Sequence, residues 1–146
     1  MSEQEQKSQS AQQRQLTQEE NIAWQRETFQ NAQKHLAQKG ILPKTVIEKE
    51  SRYLAPFFAV WKIKSENGKT YWVISGQLPT DHAEITAAVS AREAIRYFSF
   101  QWQLKADQII KMGAKDKTQV DFANLLVNRA HSIYEFYEKD ELWGNE

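Results

Sequence analysis

The chain has 146 residues, a length that suits one domain, and its 19 basic and 19 acidic side chains cancel. That balance speaks against a general nucleic-acid binder, which needs a basic excess against phosphate. The chain has no cysteine, which excludes disulfides, thiolate nucleophiles and Cys-ligated metals, and a mean hydropathy of -0.73, with no apolar run near the roughly 18 residues of a span, argues against the membrane.

The first 20 residues stand apart, with seven glutamines and only Met1, Ala11 and Leu16 as apolar side chains. Such a segment buries too little surface to offset its ordering entropy. Residues 1–16 are therefore read as a mobile Gln-rich tail and residues 17–146 as a single α+β domain. The tail lacks the apolar stretch of a secretory signal and is too acidic for a transit peptide. Residues 1–20 carry net charge -2 (two basic, four acidic) and residues 138–146 carry -3 (one basic, four acidic), so the middle carries +5.

Thr17-Gln18-Glu19-Glu20 matches a capping box and starts the first helix. Ile22, Phe29, Ala32 and Leu36 share one helical stripe, and Gly40 followed by Ile41 predicts a Schellman ending. Thr45–Glu48 reads as a short strand or an extended connection. After Pro56 the residues from Phe57 to Lys64 alternate as a strand, Asn67-Gly68 is a hairpin signal, and Tyr71–Ile74 is the return strand. With Asn67 and Gly68 as a two-residue turn, Lys62 faces Val73, Trp61 faces Ile74 and Ile63 faces Trp72. Trp61, Ile63, Trp72 and Ile74 then form one apolar wall, and the opposite side is partly wet. Ser90-Ala91-Arg92-Glu93 is a second capping box, opening a helix that Gly113 ends. A third helix runs from near Thr118 to near Glu138, and the short link makes the last two helices a hairpin. The expected architecture is α+β: an N-terminal helix, a small two- or three-stranded antiparallel sheet built on the Asn-Gly hairpin, and a C-terminal helical hairpin packed on that sheet in two layers.

Chemistry is harder to read. His35, His82 and His131 are the only histidines, and none has a neighbour at metal-ligand spacing. A metal site would need side chains that the fold brings together. Ser75, Asp81 and His82 lie close in sequence, but Ser75 has only the trailing glycine of a nucleophile elbow, so a hydrolase is not favoured. No Gly-rich phosphate loop occurs. No catalytic residue, metal ligand set or cofactor is therefore expected. The loop after the second hairpin strand is the best place for a binding site, with Arg52, Ser75, Gln77, Thr80, Asp81 and His82 as candidate residues and Arg52 as an anion clamp. Tyr97, Phe100 and Trp143 are candidates for an exposed aromatic patch or a dimer contact. The acidic and aromatic C-terminal run offers a surface for a basic partner.

Trp72-Val73-Ile74-Ser75-Gly76-Gln77-Leu78-Pro79-Thr80-Asp81, Arg92-Glu93-Ala94-Ile95-Arg96-Tyr97-Phe98 and Asp140-Glu141-Leu142-Trp143 together resemble a family of small uncharacterised bacterial proteins described as a domain of unknown function. The resemblance spans about residues 20–143. The family pattern W-W-V-I-S-G-D-L-P-T-D-Y has Trp where Tyr71 stands, Asp where Gln77 stands and Tyr where His82 stands. A position that exchanges carboxylate for amide is a poor place for an essential acid or base. The resemblance implies a bacterial, cytoplasmic setting and no particular activity. The favoured function is a non-enzymatic protein-interaction or regulatory module whose partner is another protein or a second copy of the chain, with no nucleic acid and no membrane. The alternative is a small ligand-binding domain or enzyme with its site around the Gln77–His82 loop.

Overall fold

The computed structural model describes residues 16–113 and 116–144. The tail expected over residues 1–16 therefore lies outside the described residues except for Leu16. The order of elements is helix α1 (Gln18–Gln38), strands β1 (Pro43–Val46), β2 (Arg52–Leu54), β3 (Phe58–Ser65), β4 (Thr70–Gly76) and β5 (Asp81–Glu84), then helices α2 (Ala91–Lys111) and α3 (Lys117–Tyr137). The α+β architecture expected from the sequence is the one found: an N-terminal helix, an antiparallel sheet and a C-terminal helical hairpin packed on it. The sheet is larger than expected, with five strands. β3, β4 and β5 follow one another, while β1 and β2 both pair with the other side of β3.

Local signals explain where the helices begin and end. Both halves of the capping box form at Thr17, whose hydroxyl accepts from the Glu20 amide. At the other end of α1, the Ile41 amide donates to the Leu36 carbonyl and the Gly40 amide to the Ala37 carbonyl, with Gly40 at φ +78°, which is the Schellman pattern. At α2 only half of the expected box forms. Ser90 Oγ accepts from the Glu93 amide, but the Glu93 carboxylate accepts from the Tyr137 hydroxyl and pairs with Arg96. α3 begins one residue earlier than expected, because Asp116 caps it by accepting from the Thr118 amide.

The hairpin register corrects the sequence reading by one residue. Trp61 faces Val73, Lys62 faces Trp72 and Ile63 faces Tyr71. A two-residue type I′ turn needs positive φ at both central positions. Among the described residues none other than glycine has positive φ, and Gly68 takes +86°. The reversal is a three-residue loop, Glu66-Asn67-Gly68, closed by the Ser65 amide on the Lys69 carbonyl (2.9 Å) and the Gly68 amide on the Ser65 carbonyl (3.1 Å).

Because side chains alternate, that single step reassigns the faces. Trp61 and Ile63 share a side with Ala59, Tyr71 and Val73, and α1 covers it with Ala32 and Leu36. Trp72 and Ile74 point the other way with Phe58, Val60 and Ala83, into the larger core under α2 and α3. The expected wall of two tryptophans and two isoleucines does not exist. The sheet is instead the middle of three layers: of the residues expected on a partly wet side, Val60, Tyr71 and Val73 are buried, while Lys62 is half-buried and Lys64 exposed. Each indole N–H finds an acceptor: Trp61 donates to Ser75 Oγ (2.9 Å) and Trp72 to the Ala88 carbonyl (3.0 Å). The continuous apolar runs Phe58–Trp61 and Tyr71–Ile74 are what a strand buried on both faces requires.

The chain end also differs from the expected exposed patch. Trp143 is 3 % exposed, packs into the larger core and donates its indole N–H to the Phe136 carbonyl (2.9 Å). Tyr97 packs partly buried against the same core, so of the three candidate aromatics only Phe100 stands out into solvent.

Ile63 and Ile74 belong to different cores, so their losses are independent. Ile63→Val and Ile74→Val should each cost about 0.5–1.5 kcal/mol. In urea titrations the double variant should show the sum of the two to within about 0.5 kcal/mol. A clear non-additive term would instead place the two side chains in contact on one face.

Candidate functional site

The loop after β4 is tied down at its start. Gly76 takes φ +136°, and a Cβ there would lie 2.6 Å from both the Phe57 carbonyl oxygen and the Phe58 Cα, so only glycine fits. The Gln77 amide donates to the Phe57 carbonyl (2.8 Å), its side-chain amide donates to the Pro56 carbonyl (2.9 Å), and its carbonyl accepts from Arg129 Nε (3.0 Å). Leu78 packs against the core, and Thr80 is half-buried on the way into β5. The loop thereby delivers Asp81 and His82 as the first two residues of an edge strand beside β4.

Asp81 faces Ile74 and lies on the α2 side, where its Oδ2 accepts from the Trp102 indole N–H (2.9 Å). Its Oδ1 accepts from the His82 amide (2.8 Å). His82 faces Val73 and lies on the α1 side. The last turn of α1 brings His35 there, with His35 Nε2 2.9 Å from His82 Nδ1 and the Tyr71 ring edge-on to His82. One nitrogen from each histidine and one Asp81 carboxylate oxygen lie within 4.8 Å of one another. All three residues are half-buried.

Both imidazoles are held below their ordinary pKa of 6.5. For His35, burial is the main cause, then the neighbouring His82, with Asp81 opposing and Lys39 adding a little. For His82, burial again leads, Asp81 opposes and Lys39 adds. A neutral pair suits the 2.9 Å contact, since one nitrogen must donate while the other accepts.

The other candidate residues do not join this cluster. Ser75 is fully buried between the sheet and α1, accepting from Trp61 and donating to the Thr28 carbonyl (2.8 Å). Its hydroxyl links a core indole to a helix. Gln77 is exposed, with its side-chain amide on the Pro56 carbonyl, and Thr80 is half-buried. Arg52 occupies the same row as Asp81, through Val60 and Ile74, which places it three strand spacings away, about 14 Å. Its guanidinium turns back onto the carbonyls of Lys49 and Ser51. His35 and Trp102 are the partners that sequence spacing missed. His35 is separated from His82 by 47 positions, and only the packing of α1 on the correct face of the sheet joins them.

Residues 18–143 match the family model described as a domain of unknown function, DUF4826. The chain belongs to this family. The DUF4826 match begins at the first residue of α1 and ends at the buried Trp143, so it takes in every strand and helix that positions the cluster. No curated protein and no solved structure matches the chain. Among the described residues, no helix of this DUF4826 member is long and apolar enough to cross a membrane.

Two outcomes are expected here. Ser75→Ala should cost about 1–3 kcal/mol in a denaturant titration, because the buried Trp61 N–H loses its acceptor. In metal-free protein, the two histidines should support stability fully above pH 6.5 and progressively less as pH falls below it, since their folded pKa values lie under the unfolded one. Melting curves from pH 7.5 to 5 should show a shallower loss in His35→Gln/His82→Gln than in the parent, and equal slopes would contradict the neutral pair.

Proposed function

We propose that this DUF4826 domain is a non-enzymatic protein-interaction or regulatory module of the bacterial cytoplasm, and that its contact surface is the closed end of the α2–α3 hairpin. The observation that carries the reading is the apolar surface left open there. Ile109, Met112 and Phe122, with Gln119, line a cleft of about 380 Å³ beside the Gly113 turn. Met112 is 87 % exposed, and Leu125 stands exposed one turn along from Phe122. Leaving a large apolar side chain in water forgoes roughly 1.5–3 kcal/mol relative to burial, which a partner covering several of them recovers. Phe100 and Leu104 are also exposed on α2, where Phe100 lies beside His131 and Tyr134 and apart from this cleft.

The acidic C-terminal turn is a weaker surface for a basic partner. Asp140 is paired with Arg92 at 2.6 Å, and Arg92 also donates to the Tyr137 carbonyl, so part of its charge is answered within the chain.

The test is site-specific photo-cross-linking in cells, with the photoreactive residue at position 112 or, as a control, at position 89, where Val89 is equally exposed away from the cleft. Position 112 should give a discrete adduct, to another protein or to a second copy of the chain. Position 89 should not, and Leu125→Glu should abolish the adduct. Equal labelling at the two positions, or none at 112, would remove the hairpin end as the contact surface.

A further inference from the structure

We propose that His35, His82 and Asp81 form a binding site for one divalent first-row transition-metal ion, which clamps the last turn of α1 to the edge strand β5. Three independent features lead there. The first is the donor set. Two imidazoles and one carboxylate suit zinc, nickel, cobalt or iron(II), whereas magnesium and calcium take oxygen ligands. The second is the geometry. Two nitrogens held about 2.0–2.1 Å from a common ion at angles between 90° and tetrahedral stand about 2.9–3.4 Å apart. His35 Nε2 and His82 Nδ1 stand 2.9 Å apart, and one ring nitrogen of each histidine lies within 4.8 Å of an Asp81 oxygen.

The third feature is the support behind the ligands. Ligating carboxylates are oriented by hydrogen bonds from the surrounding protein. Asp81 accepts from the indole of Trp102, which is 1 % exposed, and from the His82 backbone amide. Those two bonds use part of a capacity of about four lone pairs and leave room for an ion. The ligands come from two rigid elements: α1 is closed by its Schellman ending five residues beyond His35, and β5 is paired along its length with β4. Two neutral imidazoles and one carboxylate carry one negative charge, which favours a dication against the repulsion of Lys39.

The alternative is that the two histidines only hydrogen-bond to each other, tying α1 to β5 without an ion.

The experiment uses the full chain without an affinity tag, stripped with chelator and titrated with Zn(II) by calorimetry and with Co(II) by absorbance. No thiol competes, because the chain has no cysteine. The expected result is one equivalent of Zn(II), a rise in melting temperature, and Co(II) bands altered from those of the hydrated ion. His35→Gln and His82→Gln should each weaken binding at least 100-fold and Asp81→Asn at least tenfold. His131→Gln, on α3 beside Phe100 and Tyr134, should leave it unchanged. Nitrogen-detected spectra of the unaltered protein provide a readout that needs no variant: Zn(II) should move the ring nitrogens of His35 and His82 and spare those of His131. Unchanged ring nitrogens, or equal Zn(II) affinity in the parent and in His35→Gln/His82→Gln, would overturn the site and leave a plain hydrogen-bonded pair.

Discussion

The Glu66-Asn67-Gly68 reversal is the constraint on which the rest of the molecule depends. Asn67 Oδ1 accepts from the Lys69 amide at 2.8 Å, and the Ser65 hydroxyl bonds both to that oxygen and to the Lys69 carbonyl. Within this loop only Gly68 enters the left-handed region. A three-residue loop advances the pairing of β3 and β4 by one step relative to a two-residue turn. With a side-chain period of two, that step decides which tryptophan meets which helix. Trp61 goes to α1 and Trp72 goes to the α2–α3 hairpin.

A sheet covered on both faces changes what the helices do. α1 is a full third layer, and its last turn reaches the far edge of the sheet at β5. The serine of the W-V-I-S-G stretch becomes intelligible in this frame. Ser75 is a buried hydroxyl that satisfies an indole donor and a helix carbonyl together, a structural task that would otherwise leave polar groups orphaned in the core. The glycine after it is dictated by the backbone of Phe57 and Phe58, which leaves no room for a Cβ. The motif therefore encodes sheet closure, and the polar residues that converge beyond it are Asp81 and His82.

The two regions that offer function are physically distinct. The histidine–aspartate cluster is half-buried, polar and built on rigid elements. The hairpin end is apolar and open. The first suits a small charged ligand, because its donors converge within 4.8 Å. The second suits a macromolecule, because apolar area recovers free energy only when a large surface covers it. They meet α2 about two turns apart: Trp102 supports the cluster from the middle of the helix, while Ile109 and Met112 frame the cleft at its C-terminal end.

The sequence by itself determined the helices, their caps at Thr17, Ser90 and Gly40, the existence of the hairpin and the α+β class, because capping, Schellman endings and hydrophobic period are local and act within a few residues. It also marked Asp81 and His82 as polar residues on a loop leaving a strand. It did not determine the register, since Asn-Gly serves both a two-residue turn and a three-residue loop and the choice rests on one backbone angle at Asn67. Only the tertiary structure decided that the sheet has two buried faces, that Ser75 belongs to the core and Arg52 to a distant strand, and that His35 meets His82. Those outcomes depend on which face each helix covers, a property of packing between segments tens of residues apart, where no local spacing carries the signal.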